Sequence, residues 1–509
     1  MARLHEYQGK AILKQFGVPV PTGDVATTPE QAARIAAEVG GPVVVKAQAW
    51  VTKRAGLGAI RFAETPAEAE AAARELLGMQ IGQFTVDRVL VEQKLAIARE
   101  FYAGVIVDDR ARAPVVIFSS LGGSGIEDIA REHPDKVAKH TVDIRLGLRD
   151  FEARELARKV GIHGELLLKL GGVITRLYDA ARSHDARAAE INPLVLVEGG
   201  ALVAADSRFT IDDYAVYRHK DLGIEIAREF DRPPTMLEKI AWGVESGDYR
   251  GTFYFIQMEQ GFKKGEGVIG FHGAGGGGSM MSMDAVLARG FRIANFVDTS
   301  GNPPASKVYR AARIILSQPG IDGYFASGSG VASQEQFHSA RGMVKAFMEA
   351  PLTTPAVVRL GGNAEEQAIA ILNRARDHFA APVEAYGKDD SPDFCAERLR
   401  TLVDTWVPPA VAPPARIKPQ ATEPYTFETV TGGTVTLDHA RCRDCETKVC
   451  VERCVPRILS LEGDVPVLNI SREEAKKGGC VECLACDVEC YFEGNQGGYV
   501  ELPIAGLEA

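Results

Sequence analysis

At 509 residues the chain exceeds what one hydrophobic core supports, so about three domains of ~150 residues are expected. Its 25% charged and 46% apolar composition is ordinary for a globular protein, and a net charge of -10 with no broad Lys/Arg stripe excludes a nucleic-acid binder. No apolar run reaches the ~18 residues of a membrane span and the first residues hold no apolar signal core, so a cytoplasmic protein, away from membranes, is expected.

Thr28-Pro29-Glu-Gln31 and Thr65-Pro66-Ala-Glu68 each offer a Thr N-cap, proline at the first helical position and Gln or Glu at the third. Ala-rich periodic sequence follows both, which predicts two helices. Between them, Pro42-Val-Val-Val-Lys46 predicts a short buried strand carrying a lysine. The loop Val51-Thr-Lys53-Arg54-Ala-Gly56-Leu-Gly58 combines glycine-freed amides with cations, which suits the β and γ phosphates of a nucleotide and equally describes a solvated turn. Val89-Leu-Val-Glu92 and Arg99-Glu100-Phe-Tyr-Ala-Gly-Val-Ile-Val107 continue the strands; Glu92 closes an apolar run either as an adenine or ribose contact or as a strand-edge carboxylate.

The stretch Ala189 to Asp206 alternates apolar runs around Glu198-Gly199-Gly200, the pattern of a β-hairpin. A three-residue loop there pairs residues whose numbers sum to 398, so that Asn192 faces Asp206 and Glu190 shares their face. Two carboxylates and an amide oxygen form a hard-cation site. Mg²⁺ takes few protein oxygens and completes its shell with water and substrate phosphates, which makes a nucleotide the expected companion. A two-residue turn would put Asn192 and Asp206 on opposite faces and leave a solvated hairpin.

From about Tyr249 the pattern becomes regular. Strands near Val268–Phe271, Ile293–Val297, Tyr324–Ala326 and Ala356–Arg359 alternate with helices beginning near Ser279, Ala305, Gln334 and Ala364, which predicts a parallel sheet covered on both faces. Each strand ends in a glycine-bearing loop, and all four loops fall at the carboxyl edge, where open α/β folds bind ligands. Gly273, Gly275 and Gly278 with Asp298 also match a dinucleotide fingerprint, although a run of glycines satisfies many patterns by chance.

Val407 to Pro424 is too proline-dense for helix or central strand and reads as a semi-rigid linker after which the tail folds by itself. Eight of the nine cysteines follow it, as Cys442-x2-Cys445-x4-Cys450-x3-Cys454 and Cys480-x2-Cys483-x2-Cys486-x3-Cys490. In a reducing compartment such crowding points to metal rather than disulfides. Three close thiolates wrap one cubane while the fourth of each run reaches the other, so Cys442, Cys445, Cys450 and Cys490 hold one [4Fe-4S] cluster and Cys454, Cys480, Cys483 and Cys486 the second. The alternative is a pair of structural Zn²⁺ sites. The last ~75 residues resemble a bacterial two-cluster ferredoxin, apart from the four-residue gap in the first run and a proline, Pro456, placed one position late. Cys395 lies outside this set and reads as a buried structural thiol.

Leu4-His-Glu-Tyr-Gln, Val-Val-Lys46, Glu190-Ile-Asn192-Pro-Leu and Val-Val-Arg359-Leu-Gly-Gly-Asn363 are similar to the β subunit of ADP-forming succinyl-CoA synthetase and the matching part of ATP-citrate lyase. The resemblance spans roughly the first 400 positions. It implies an α/β chain with an ATP-grasp domain over 1–240 and a flavodoxin-like acyl-CoA ligase domain over 241–405, followed here by the linker over 406–430 and a small α+β ferredoxin-like domain over 431–509. It further implies that Lys46, Arg54, Glu92 and Glu100 bind ATP, beside Lys53 of the basic loop, and that Asn192 and Asp206 ligate Mg²⁺. Glu190 would steady a phosphohistidine on a partner α-type subunit, which also supplies most of the CoA site; a hetero-oligomer follows.

Two departures bear on the substrate. Ser329-Gly330-Val331-Ala-Ser333-Gln-Glu335 replaces the family's carboxylate-binding loop, and Glu335 would repel a tricarboxylate, which points to an organic acid other than succinate or citrate. His272 stands where the synthetases have Asn in a substrate loop, and reads as a loop contact or a structural residue. The chain is thus expected to be an ATP-dependent acid–CoA ligase subunit whose iron-sulfur module connects it to a redox enzyme or ferredoxin. The competing expectation is an electron-transfer subunit that binds a dinucleotide at the glycine loop; a third gives the clusters a structural or oxygen-sensing role.

Overall fold

In the computed structural model both Thr-Pro signals start helices. Thr28 accepts a hydrogen bond from the Gln31 amide at the head of Pro29–Val39, and Thr65 accepts one from the Glu68 amide at the head of Pro66–Leu76. The structure describes residues 2–507 except 51–53, 82–83, 124, 225–229, 231, 251, 329, 331 and 410–413. The chain divides into two units, Met1–Pro234 and Thr235–Ala509. Among the described residues no helix is long and apolar enough to cross a membrane.

Among the described residues the first unit contains two large antiparallel sheets and a two-stranded one, Gln80–Ile81 with Phe84–Thr85. The smaller of the two large sheets orders Gly23–Ala26, Val89–Gln93, Val43–Ala47 and Ile60–Ala63, with the two Thr-capped helices packed on it through Ala32, Ile35, Ala69 and Ala73. The larger, seven-stranded sheet is centred on Ile97–Asp108 and Ala186–Val197 and carries the helices Asp150–Lys159 and Gly164–Ser183.

The hairpin has the expected register. Leu194, Val195 and Leu196 pair with Ala204, Val203 and Leu202 across a loop in which Gly199 and Gly200 have φ of 98° and 84°, conformations that favour glycine. Beyond a bend at Ala205-Asp206 the ladder resumes as Ile191 with Ser207 and Glu190 with Arg208, in the same register. Asn192 and Asp206 are therefore opposed in the gap between the two ladders. On its other edge, the Ala186–Val197 strand slips register against Ile97–Asp108 between Ile191 and Leu194, a bulge of the kind that re-aims side chains beside sites.

In the second unit Val268–Ala274, Arg292–Asp298, Gly323–Gly328, Ala356–Arg359 and Val383–Tyr386 form a parallel sheet, and Tyr254–Gln257 adds an antiparallel edge. Numbered along the chain, the parallel strands stand in the flavodoxin-like order 2-1-3-4-5. Phe271 and Phe325 face the helices Gly276–Ala288 and Pro392–Thr405, where Cys395 is fully buried as expected. Tyr324 and Val358 face Ala305–Leu316 and Phe337–Glu349.

The tail does not fold apart from this domain. Its sheet, Pro424–Glu428 with Thr434–Asp438 and Gly498–Glu501, begins inside the expected linker, and Val435, Leu437, Leu484 and Val488 share one core with Tyr309, Val344 and Phe347. The physical reason is the Phe337–Glu349 helix, in which all residues from His338 to Met348 are buried. A helix buried all round needs a second covering layer, and the cysteine-bearing segment provides it. The contact is also electrostatic. Asp487 lies 2.6 Å from Lys345 and from Arg416, and Glu489 lies 2.9 Å from Arg341. Burial alone would raise the carboxyl pKa of Asp487, but Lys345 and Arg416 outweigh it and hold the group ionised.

Candidate functional site

The helix Glu6–Gln15 and the smaller sheet build a buried cluster of four charges. Lys46 lies 2.9 Å from Glu6 and 2.6 Å from Glu92, and Lys10 lies 2.8 Å from Glu6 and 2.6 Å from Glu92. Both ammonium groups also donate to the carbonyl of Ala205, at 2.8 Å, immediately before Asp206. Burial would lower the pKa of Lys46, but Glu6, Glu92 and Asp206 together raise it above its ordinary value, so its charge is secure. Glu92 is thus neither a strand-edge nor an exposed carboxylate: its strand runs between Gly23–Ala26 and Val43–Ala47. Sequence inspection missed Lys10 and Glu6; their spacing by one helical turn is the only local signal, and solvated i,i+4 pairs look the same.

Asn192 Oδ1 accepts from the Gly123 amide at 2.9 Å, and Asp206 Oδ1 accepts from the Ser207 amide at 2.7 Å. Glu100, on Ile97–Asp108, reaches the same Gly122-Gly123 turn, since a Cβ on Gly123 would collide with its carboxylate. Gly123 has φ of +81°. Gly123→Ala is therefore expected to lower stability by about 1–2 kcal/mol and to displace Glu100; urea unfolding and the KM for ATP measure the two effects. Glu190 accepts from Tyr102 Oη at 3.1 Å and lies 3.8 Å from Arg208. Burial raises its pKa, and Arg208 and Tyr102 offset part of the rise. Asp206 is near enough to influence the charges of both Lys46 and Glu190.

Lys46, Glu92, Glu100, Glu190, Asn192 and Asp206 therefore all fall in the first unit. The chain at Arg54 forms a short 3₁₀ turn, Arg54–Leu57, but its side chain, and all of Lys53, lie outside the described residues. The oxygen chemistry at Asn192 and Asp206 fits Mg²⁺, which needs only one or two protein carboxyl or amide oxygens when phosphates supply others.

In the second unit, Ser329 and Val331 lie outside the described residues, while Gly330 is buried with φ of 77° and packs against the Arg359 guanidinium. His272 is not a loop contact. It lies within Val268–Ala274, is 2% exposed, and its Nδ1 accepts from Tyr324 Oη at 2.6 Å. Burial pushes its pKa down to about 3, and the buried His338 is likewise pushed down to about 3. Both must be neutral in the fold but bind protons when unfolded below pH ~6.5. Stability is therefore expected to fall as pH drops from 6.5, by about 1.4 kcal/mol per histidine per pH unit. Urea midpoints measured between pH 7 and 5 test this, with His272→Gln halving the slope.

Asp298, the acidic residue of the dinucleotide alternative, accepts at Oδ1 from the Gly275 amide at 3.0 Å and the Ser300 amide at 2.8 Å, which braces the glycine loop.

The eight cysteines gather in two sets. Cys442, Cys445, Cys450 and Cys490 line one cavity. Cys454, Cys480, Cys483 and Cys486 line another, which Cys450 also borders. Burial, then the proximity of Cys490, Cys442 and Cys445, pushes the Cys450 thiol up to about 12, as four converging thiols require. Among the described residues no group of three or more His, Cys, Asp or Glu is arranged to hold a metal ion.

The ATP-grasp domain model matches residues 3–196, and the ATP citrate lyase citrate-binding model matches residues 263–395. The β subunit of a GDP-forming succinate–CoA ligase from Thermus thermophilus is 41% identical over 369 residues, 72% of this chain and 93% of that protein. The chain belongs to the succinate–CoA ligase β-subunit family. An ADP-forming β subunit from Deinococcus radiodurans is 38% identical over 73% of this chain and 92% of its own length. An ATP citrate lyase from Methanothrix soehngenii, solved with citrate and coenzyme A, has the same fold, with a TM-score of 0.63 at 20% identity over 78% of this chain and 99% of that one. As a β subunit of this family the protein is an enzyme of the acid–thiol ligase class, built on an ATP-grasp fold.

Proposed function

We propose that this β-type subunit uses ATP, with ADP as product, to phosphorylate a histidine of a partner α-type subunit, and that the pair then joins an organic acid to CoA. The observation that carries this is the opposition of Asn192 and Asp206 beside the Lys10–Glu6–Lys46–Glu92 cluster. Lys46, kept cationic by its carboxylate neighbours, clamps the nucleotide phosphates together with Lys53 and Arg54. Asn192 and Asp206 would hold Mg²⁺, which supplies charge neutralisation to the transferring phosphoryl group. Glu92 and Glu100 contact the nucleotide from the two sheets.

In the transfer, the bond from γ-phosphorus to the β-phosphate bridging oxygen breaks as a phosphorus–nitrogen bond to the partner's histidine forms. Glu190 accepts the N–H of the other ring nitrogen and keeps the attacking nitrogen unprotonated; Tyr102 and Arg208 fix the carboxylate. The phosphoryl group next passes to a substrate carboxylate oxygen, and the CoA thiolate displaces phosphate to give the thioester. The acid meets the carboxyl edge of the second unit's sheet, near Gly330. There Glu335 is exposed and disfavours a tricarboxylate.

In the tail, the two four-cysteine sets would each hold a [4Fe-4S] cluster, which supplies one-electron transfer when bound. Grouping into the two sets that the spacing rule requires supports iron-sulfur. A cubane is wrapped by four thiolates, and each set of four thiols rings a cavity. A redox enzyme or ferredoxin in the cytoplasm would then exchange electrons with the hetero-oligomer. Anaerobic purification with the α-type partner tests both parts: ADP formation beyond the single equivalent released on phosphorylating the partner should require a carboxylate and CoA, with about eight iron and eight sulfide per chain. Zinc without sulfide, or multiple-turnover ADP formation with no acid present, would overturn the respective part.

A further inference from the structure

We infer that the second unit contains an anion-binding site, distinct from the ligase centre, for a small molecule with an oxyanion head and an apolar body. A cavity of about 320 Å³ opens at the start of the Ala305–Leu316 helix, between the sheet domain and the cysteine-bearing tail. The helix N-cap is Pro304, which offers no side-chain acceptor, so the positive end of the helix faces the cavity uncapped. Ser306 lines the cavity, is 0% exposed, and its hydroxyl has no hydrogen-bond partner among the described residues. A buried hydroxyl left this way is costly unless a ligand completes it.

Arg310 lines the same cavity and is 5% exposed. Its neutral acceptors are the carbonyls of Pro503 and Thr431, at 3.3 and 3.4 Å. Its closest carboxylate, Glu482, is 3.9 Å away and already accepts from both Thr429 and Thr431. The arginine charge is thus buried with a weak counterion, whereas Lys307 beside it is matched by Asp248 at 2.5 Å and by backbone carbonyls of Arg250 and Thr252. An oxyanion seated against Ser306, the helix start and Arg310 would satisfy all three, while Val244, Pro503 and Ile504 provide an apolar wall. Glu482 sits between Cys480 and Cys483, so the ligand would be read directly by the second cysteine set.

The full-length chain titrated with inorganic phosphate and with phenyl phosphate tests the assignment. At a hundredfold excess over Kd, phenyl phosphate should raise Tm by about 5 °C and bind about tenfold or more tighter than inorganic phosphate. Ser306→Ala should weaken binding about fivefold. Ser306→Asp, which supplies a carboxylate to Arg310, should abolish it. Neither variant depends on Arg310→Gln folding, a third variant expected to lose binding. No shift in the wild type, or an undiminished shift in Ser306→Asp, would overturn the site; equal affinity for the two probes would overturn its apolar half.

Discussion

Asp206→Asn is expected to reduce ATP-dependent phosphorylation of the partner subunit by roughly a thousandfold while leaving the fold intact. Asp206 lies at the bend between the two ladders, where its Oδ1 accepts from the Ser207 amide, and asparagine keeps that acceptor and the side chain's shape. What it loses is charge. The carboxylate faces Asn192 in register and contributes to holding Lys46 ionised. On the proposed assignment, loss of the anionic oxygen would weaken the hold on Mg²⁺ and remove one of the groups that keep Lys46 charged. Asn192→Ala should be milder, since it removes a neutral donor oxygen and the bond to Gly123. Single-turnover transfer to the partner at saturating Mg·ATP separates the two variants from simple binding defects; wild-type transfer by Asp206→Asn would remove the aspartate from the site.

The second large effect concerns stability. Asp487→Asn is expected to cost the second unit about 3–5 kcal/mol, because it leaves two buried cations without their shared anion. Lys345 is wholly buried, and among the described residues its other counterion is Glu349, at 2.5 Å. Arg416 reaches Asp487 from the stretch that joins the domain to the tail. Denaturant unfolding followed by tyrosine fluorescence and by protection of the tail's cysteines from thiol reagents should show both falling together, because the tail and the sheet domain share one core. A tail that unfolds while the sheet domain keeps its wild-type midpoint would show that the two are independent after all.

Much of this architecture was legible from local signals. The paired glycines of Glu198-Gly199-Gly200 select a loop length, loop length selects register, and register alone brings Asn192 opposite Asp206. Thr28 and Thr65 carry their capping partners within three residues. The cysteine spacing predicts which thiols gather, because the three close thiols of each run converge while the fourth is carried to the other set. Features set by distant partners were not legible. Lys345 and Asp487 are 142 residues apart, and an acidic residue between cysteines gives no sign of whether it meets solvent or a buried lysine. The proline-dense stretch predicts a semi-rigid linker but carries no information about what the following segment packs against. His272 looked like a loop residue because it precedes a run of glycines; the parallel strand simply extends past it, and Tyr324 on the next strand completes its hydrogen bonding.

In the proposed function this chain carries phosphate from ATP to a histidine on another polypeptide. Incubating it with the α-type partner, Mg²⁺ and γ-labelled ATP, without CoA, tests that claim most directly. The expected result is acid-labile, alkali-stable label on the partner, matched by released ADP, and lost in Asp206→Asn. Label on this chain itself, or ADP release with no labelled protein, would contradict it.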